Sequence, residues 1–246
     1  GHTGSADVYL AAFLFQLEKG ASLSLTWKLT GGDREGACVL AAYYELAEDA
    51  RLHVSRLESG LTKTIIYDQR HSVLAARARA DFYAAELGGE KIIVHSYGKL
   101  SGDASEMNER AIYAGRGRQH LDFFYHIDHV GKKTKAEIDL KGALADESKK
   151  IFRGTLDFKR GCAGSVGDEG DFAIQLDPKT KNISLPLLLC TEDDVQGNHA
   201  SSAGQLDQNT IYFLMSRGFT LEEARRIVVE ALIRPIIDGM DEALRE

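Results

Sequence analysis

The sequence predicts a mainly β fold, a parallel β-helix over residues 1–206, followed by a helical segment over residues 207–246. Three observations lead there. The first is an internal repeat. Leu17-Glu-Lys-Gly-Ala21-Ser-Leu23-Ser-Leu25 matches Leu46-Ala-Glu-Asp-Ala50-Arg-Leu52-His-Val54, and Leu74 with Ala78, then Leu100 with Ala104, repeat its first half. The leading leucines stand 29, 28 and 26 residues apart, and a period of about 20–50 residues marks a solenoid whose units bury their apolar faces only against one another. The second is strict alternation. Leu23, Leu25 and Trp27 alternate with Ser24, Thr26 and Lys28, and Leu121, Phe123, Tyr125 and Ile127 do the same later, as a strand with one face in a core requires. The third is 24 glycines against 3 prolines, a chain with many backbone corners that keeps its N–H groups for ladder bonds.

Taken in order, the repeat extends over residues 8 to 205. At about 28 residues per coil this gives about seven coils, stacked at ~4.8 Å into a prism of about 30 Å. A β-sandwich is the alternative, but its strands recur every ~8–12 residues without a longer period. After residue 206 the texture becomes helical. Asp207 caps a helix that runs through Ser216 and ends at Gly218 beyond Arg217. Thr220-Leu-Glu-Glu223 is a capping box opening a second helix, on which Ala224, Ile227, Val228, Ala231 and Leu232 form an apolar stripe. Pro235 is expected to kink or restart that helix before Ile236 and Ile237. The tail can cover the open strand edge at the end of the solenoid or serve as a docking surface.

Composition narrows the function. A formal net charge of −7 leaves no basic face for phosphate neutralisation, so no nucleic-acid partner is expected. The longest uncharged apolar run, Val8–Leu17, is ten residues, too short for a membrane span, and no secretion signal opens the chain. The expected location is the cytoplasm, with no membrane partner. Gly1-His2 reads as a remnant of cloning, with the natural N-terminus lying elsewhere. Cys38, Cys162 and Cys190 form no C-x-x-C pair, which disfavours a disulfide framework or a sequence-local zinc site. Walker A, nucleophile-elbow and zincin motifs are absent, so no catalytic residue is assigned and the chain is read as a non-enzyme. A β-helical carbohydrate-processing enzyme remains the alternative, with a metal-free interaction scaffold behind it.

Three constellations stand out. His126 and Asp128 share one strand face while His129 takes the other, so His126 reads as a packing histidine. Cys162 and Cys190 are 28 residues apart, one coil at the repeat's period, which would make the thiols neighbours about 5 Å apart, but the favoured reading is that they are small apolar fillers of the core. The densest cluster runs from Cys190 through Glu192, Asp193 and Asp194 to Gly197 and His199. Imidazole, carboxylate and thiolate all bind iron, so His199, Glu192, Asp194 and Cys190 are the metal-site candidates; the alternative is a solvated acidic turn beside a structural histidine.

From His129 onward the motifs resemble a known family. His129-Val-Gly-Lys-Lys-Thr134, Lys141-Gly-Ala-Leu144, Ile151-Phe-Arg-Gly154, Leu185-Pro-Leu-Leu-Leu, Glu192-Asp-Asp-Val195, His199-Ala-Ser-Ser-Ala-Gly204, Asp207 and Tyr212-Phe-Leu-Met-Ser-Arg217-Gly218 follow the order and spacing of the SufB/SufD iron–sulfur cluster assembly scaffolds. The resemblance covers nearly the whole chain and is strongest over 129–240. It implies a right-handed β-helix that pairs with another SufB/SufD-type subunit or with itself, and a SufC-type ABC ATPase docked on the C-terminal helices. There the docking candidates are Tyr212, Ser216, Arg217 and Gly218. It implies a transient iron–sulfur cluster or iron as cargo, with no tightly bound cofactor. His199 matches the functional histidine of SufD members, and Gly197 stands where some carry a cysteine. The helical N-terminal domain of many members is missing, so the chain is expected to be a short form or a shortened piece.

Overall fold

A computed structural model describes residues 7–245; the Gly1-His2 expectation lies outside the described residues. Fourteen strands precede two α-helices. They are β1 (Asp7–Leu17), β2 (Ser22–Gly31), β3 (Gly36–Leu46), β4 (Arg51–Gly60), β5 (Thr64–Leu74), β6 (Arg79–Glu86), β7 (Lys91–Leu100), β8 (Glu106–Gly115), β9 (His120–His129), β10 (Lys135–Leu144), β11 (Lys149–Phe158), β12 (Ser165–Gln175), β13 (Lys181–Cys190) and β14 (Val195–Gly204). Odd strands form one seven-stranded parallel sheet and even strands another, each in sequence order. Every coil therefore contributes one strand to each sheet, and seven coils stack into a two-faced solenoid. A sandwich of antiparallel strands is ruled out by this order.

The repeat maps onto the ladder. Leu17, Leu46, Leu74 and Leu100 are register neighbours, and the column continues through His129, Phe158 and Cys190. Ala50 and Ala78 sit fully buried just past the corner that follows. The fourth repeat departs from the sequence template by one residue. Ser101 and Gly102 both donate to the Leu74 carbonyl, an inserted residue that moves Ser105 into the small buried position and leaves Ala104 at the corner with φ +56°. Ala104 joins Gly20, Asp49, Arg77, Lys133 and Gly164 in a column of left-handed corner residues. A non-glycine residue tolerates this conformation at a cost; the N–H of Asp49, Arg77, Ala104 and Lys133 each donates to a carbonyl of the next coil, which offsets it.

Inward side chains fill the space between the sheets, among them Leu121, Phe123, Tyr125 and Ile127, all buried. The core is not wholly apolar. Arg56 pairs with Asp68 at 2.7 Å and Arg70 with Asp68 at 2.6 Å, while Arg70 also reaches Glu86 and Glu109. Nearer the C-terminal end Lys150 donates to Asp171 at 2.5 Å and to the Tyr113 hydroxyl at 3.2 Å. Buried charges persist when paired and hydrogen-bonded; Arg70 finds Asp68 two residues away on β5, while Arg56–Asp68 and Lys150–Asp171 join facing strands.

Asp207 caps α1 (Gln208–Ser216), and Thr220 and Glu223 close the capping box of α2 (Leu221–Ile237). Pro235 does not break α2. It lies in the final turn, where little helix remains to be disrupted, and Ile236 beyond it is buried. Ile236, Met240 and Leu244 pack with Ala85 and Ile112 of the even sheet, and Leu206, Ile211 and Ala224 pack with Ile174 and Leu176. Gly239 permits this approach, since a Cβ there would stand 2.1 Å from the Tyr83 ring. The tail thus lies along the outer face of the even sheet. The end-cap role is not what these contacts build: β13 and β14 remain terminal strands.

Candidate functional site

The last coil, like the first, is only partly covered. Unbroken register with β12 and β11 fixes which way its side chains face. Asn182, Ser184, Pro186, Leu188 and Cys190 of β13 share the inner face with Lys150, Phe152, Gly154, Leu156 and Phe158. Val195, Gly197, His199, Ser201 and Ala203 of β14 share it with Ser165, Gly167, Glu169, Asp171 and Ala173. His199 therefore stands at the open mouth of the lumen, directly over Glu169, and is itself exposed. Pro186 is tolerated because β13 is an edge strand. On the outer face of β13, Ile183, Leu185, Leu187 and Leu189 form an exposed apolar row, 46%, 56%, 48% and 39% accessible.

The acidic corner between β13 and β14 has a structural task. Glu192 Oε2 accepts the Gly161 N–H at 2.8 Å and Oε1 the Asp193 N–H at 3.1 Å. Those backbone donors hold its carboxyl below the usual range, the Gly161 bond contributing most. The Asp194 carbonyl accepts from Gly164 N at 2.6 Å. The corner is thereby tied to the previous coil. Cys190 is exposed at the end of β13. His199 lies four residues past Val195, about 13 Å along the strand. Among the described residues, no three of His199, Glu192, Asp194 and Cys190 bring ligand atoms within 4.8 Å of one another. The candidates share one coil without forming one closed site.

The 28-residue spacing does not make Cys162 and Cys190 register neighbours, and for Cys162 the core-filler reading holds. Phe158 and Cys190 are register neighbours 32 residues apart, because the last coils are longer than the 28-residue period. Cys162 is instead buried in its own corner, where burial raises its thiol pKa. The packing reading of His126 holds: it stacks on Tyr97 at 5.3 Å and bonds Asp128 at 3.0 Å. Asp157 joins them, one strand over, but the Lys159 ammonium bridges both carboxylates. His129 faces inward, stacked on Phe158 at 4.3 Å and bonded to Thr134 at 2.7 Å, and burial pushes its pKa down to about 4. Sequence reading missed Glu169, whose carboxyl burial pushes up to about 8.

A family model described as "SUF system FeS cluster assembly, SufBD core domain" matches residues 2–232. The chain belongs to this family. Among curated SufBD relatives, it is 28% identical over 187 residues to the iron–sulfur cluster assembly protein SufD of Bacillus subtilis, covering 76% of this chain and 42% of that protein. It is 28% identical over 124 residues to a SufBD family protein of Mycobacterium leprae (50% and 14% covered), and 20% identical over 221 residues to one of Staphylococcus saprophyticus (89% and 47% covered). The chain spans less than half the length of these SufBD relatives. On the helical segment, Tyr212 is 76% exposed and Phe213 55%, with the Arg217 guanidinium 5.1 Å from the Phe213 ring centre and Ser216 Oγ bonded to the Phe213 carbonyl. Gly218 ends α1 with φ +99°. Among the described residues no helix is long and apolar enough to cross a membrane.

Proposed function

We propose that the chain is a scaffold of the SUF machinery: two SufB/SufD-type coils, or two copies of this one, pair across the last coil, and a SufC-type ATPase seats on the helical segment. The observation that carries this is the open last coil. Two unpaired strand edges, the exposed Ile183-to-Leu189 row and His199 occur together at one end. Edges of this kind pair by strand addition, and an exposed alternating apolar row buries on pairing. An iron–sulfur cluster handled as cargo needs imidazole or thiolate ligands in a site that can reopen. A site shared between subunits opens when they move, driven by the partner's ATP cycle. The chain itself then hydrolyses nothing. The cargo is transient iron or a nascent cluster, and the machinery works in the cytoplasm.

His199→Ala is the direct test. It is expected to leave circular dichroism and melting unchanged while abolishing cluster maturation in cells; retained maturation would overturn the reading. For the ATPase, Tyr212→Ala with Arg217→Ala is cleaner than deleting residues 219–246, because deletion would also uncover Ala85 and Ile112. The double variant is expected to lose most SufC affinity in a pull-down with its melting temperature intact.

A further inference from the structure

The inner faces of the last two coils hold polar atoms that nothing among the described residues satisfies. Glu169 is 3% exposed, and neither carboxylate oxygen has a hydrogen-bond partner. It reaches across the lumen to the opposite sheet, where Gly154 makes room: a Cβ there would stand 1.9 Å from Glu169 Oε1. One coil further out, Asn182 Oδ1 and Ser184 Oγ are also buried and unpartnered, and His199 sits over Glu169 by register. The other deep acids differ. Asp171 has Lys150, and Asp68 has Arg56 and Arg70. A carboxylate removed from water persists when it is neutralised, paired or bound to a metal. The unpartnered atoms here are oxygens able to accept, and a bound cation is a complement that would satisfy them together.

We propose that Glu169 is the inner, anionic ligand of a divalent transition-metal ion drawn into the open mouth of the lumen, with His199 as its ligand on the terminal coil. Register neighbours in a parallel pair stand ~4.8 Å apart, and these two side chains share the inner face. A carboxylate oxygen and an imidazole nitrogen can therefore converge on one ion at about 2.0–2.2 Å each. Ser184, one inward position along β13 from the Pro186 that stands over Gly154, faces the lumen from the other sheet and can hold the ion's water. A mixed nitrogen and oxygen set suits Fe²⁺, Co²⁺ or Zn²⁺ over Mg²⁺. The proposal rests on the reading of His199 as a cargo residue. It adds to it that the ion sits inside the coil's mouth, guided by a residue one coil deeper.

The test is anaerobic titration of the purified chain with Co²⁺, followed by visible absorbance and melting. Wild type is expected to bind one Co²⁺ and melt higher with it. Glu169→Gln, which keeps the shape, and His199→Ala are each expected to weaken binding roughly tenfold or more. Wild-type Co²⁺ affinity in Glu169→Gln, or no binding by wild type, overturns the proposal. If Glu169→Gln binds normally while His199→Ala blocks maturation, the inner ligand falls and the scaffold reading stands. If His199→Ala still matures clusters while both variants lose Co²⁺, the ion site stands and the scaffold role of His199 falls.

Discussion

Replacing Glu169 by glutamine tests the interior electrostatics without touching shape. Burial raises this carboxyl from 4.5 to about 8, with nearby Asp171 adding to the shift. A group whose folded-state pKa is raised contributes most below its unfolded value, and that contribution is lost as pH rises toward the folded value. The window is therefore pH 4.5 to 8, a span of 3.5 units (8 − 4.5), and at about 1.4 kcal/mol per unit the full loss is about 5 kcal/mol. Between pH 6 and 9 the wild type should lose about 3 kcal/mol of this and Glu169→Gln none. Urea midpoints for both proteins, measured from pH 5 to 9 with a chelator and constant salt, read the difference directly. His129 opposes the trend, since its lowered pKa removes stability as pH falls from 6.5 toward about 4. Glu86 and Glu109, both raised by burial, act in the same direction as Glu169. All three are common to both proteins and cancel to first order in the difference. Parallel curves would show that Glu169 is solvated or paired, and would refute the reasoning.

Two further outcomes follow from packing. Gly142→Ala would put a Cβ 2.2 Å from the Tyr113 carbonyl oxygen and 2.6 Å from its ring; backbone must shift, so a loss of about 1–3 kcal/mol is expected in urea unfolding, against no change for Gly204→Ala, where nothing lies within 4 Å. Leu187→Arg, on the exposed outer face of β13, is expected to leave melting unchanged and to abolish pairing in sedimentation velocity; a paired variant would place the interface elsewhere.

How much of this was legible follows from what each pattern can report. The leucine column was visible because its spacing stays near-constant over the first coils and each leucine is buried in the same register. The helical caps were visible because they are local. The 28-residue spacing of Cys162 and Cys190 does not make them register neighbours because insertions lengthen the last coils to 30–32 residues, and a period measured early does not survive them. The charged interior was invisible for a different reason. Arg56 finds Asp68 twelve residues on and Lys150 finds Asp171 twenty-one on, pairings that no local window contains.

The inner strand at the candidate site shows the limit most sharply. On β12 the lumen side carries Ser165, Gly167, Glu169, Asp171 and Ala173, while the outer side carries Val166, Asp168, Gly170, Phe172 and Ile174. Hydropathy alone would turn this strand over. Its true orientation is set by neighbours on both sides, Ile138 and Leu140 of β10 pairing with Glu169 and Asp171, and by the tail that covers Ile174 from outside. A one-residue slip would bring Phe172 inward and free both acids, so apolar burial by itself favours the other register. What holds the observed one is the full parallel ladder together with the Lys150–Asp171 pair. Glu169 gains nothing from that pair, and remains as an acid kept inside the lumen at a cost to stability, beneath the histidine at its mouth.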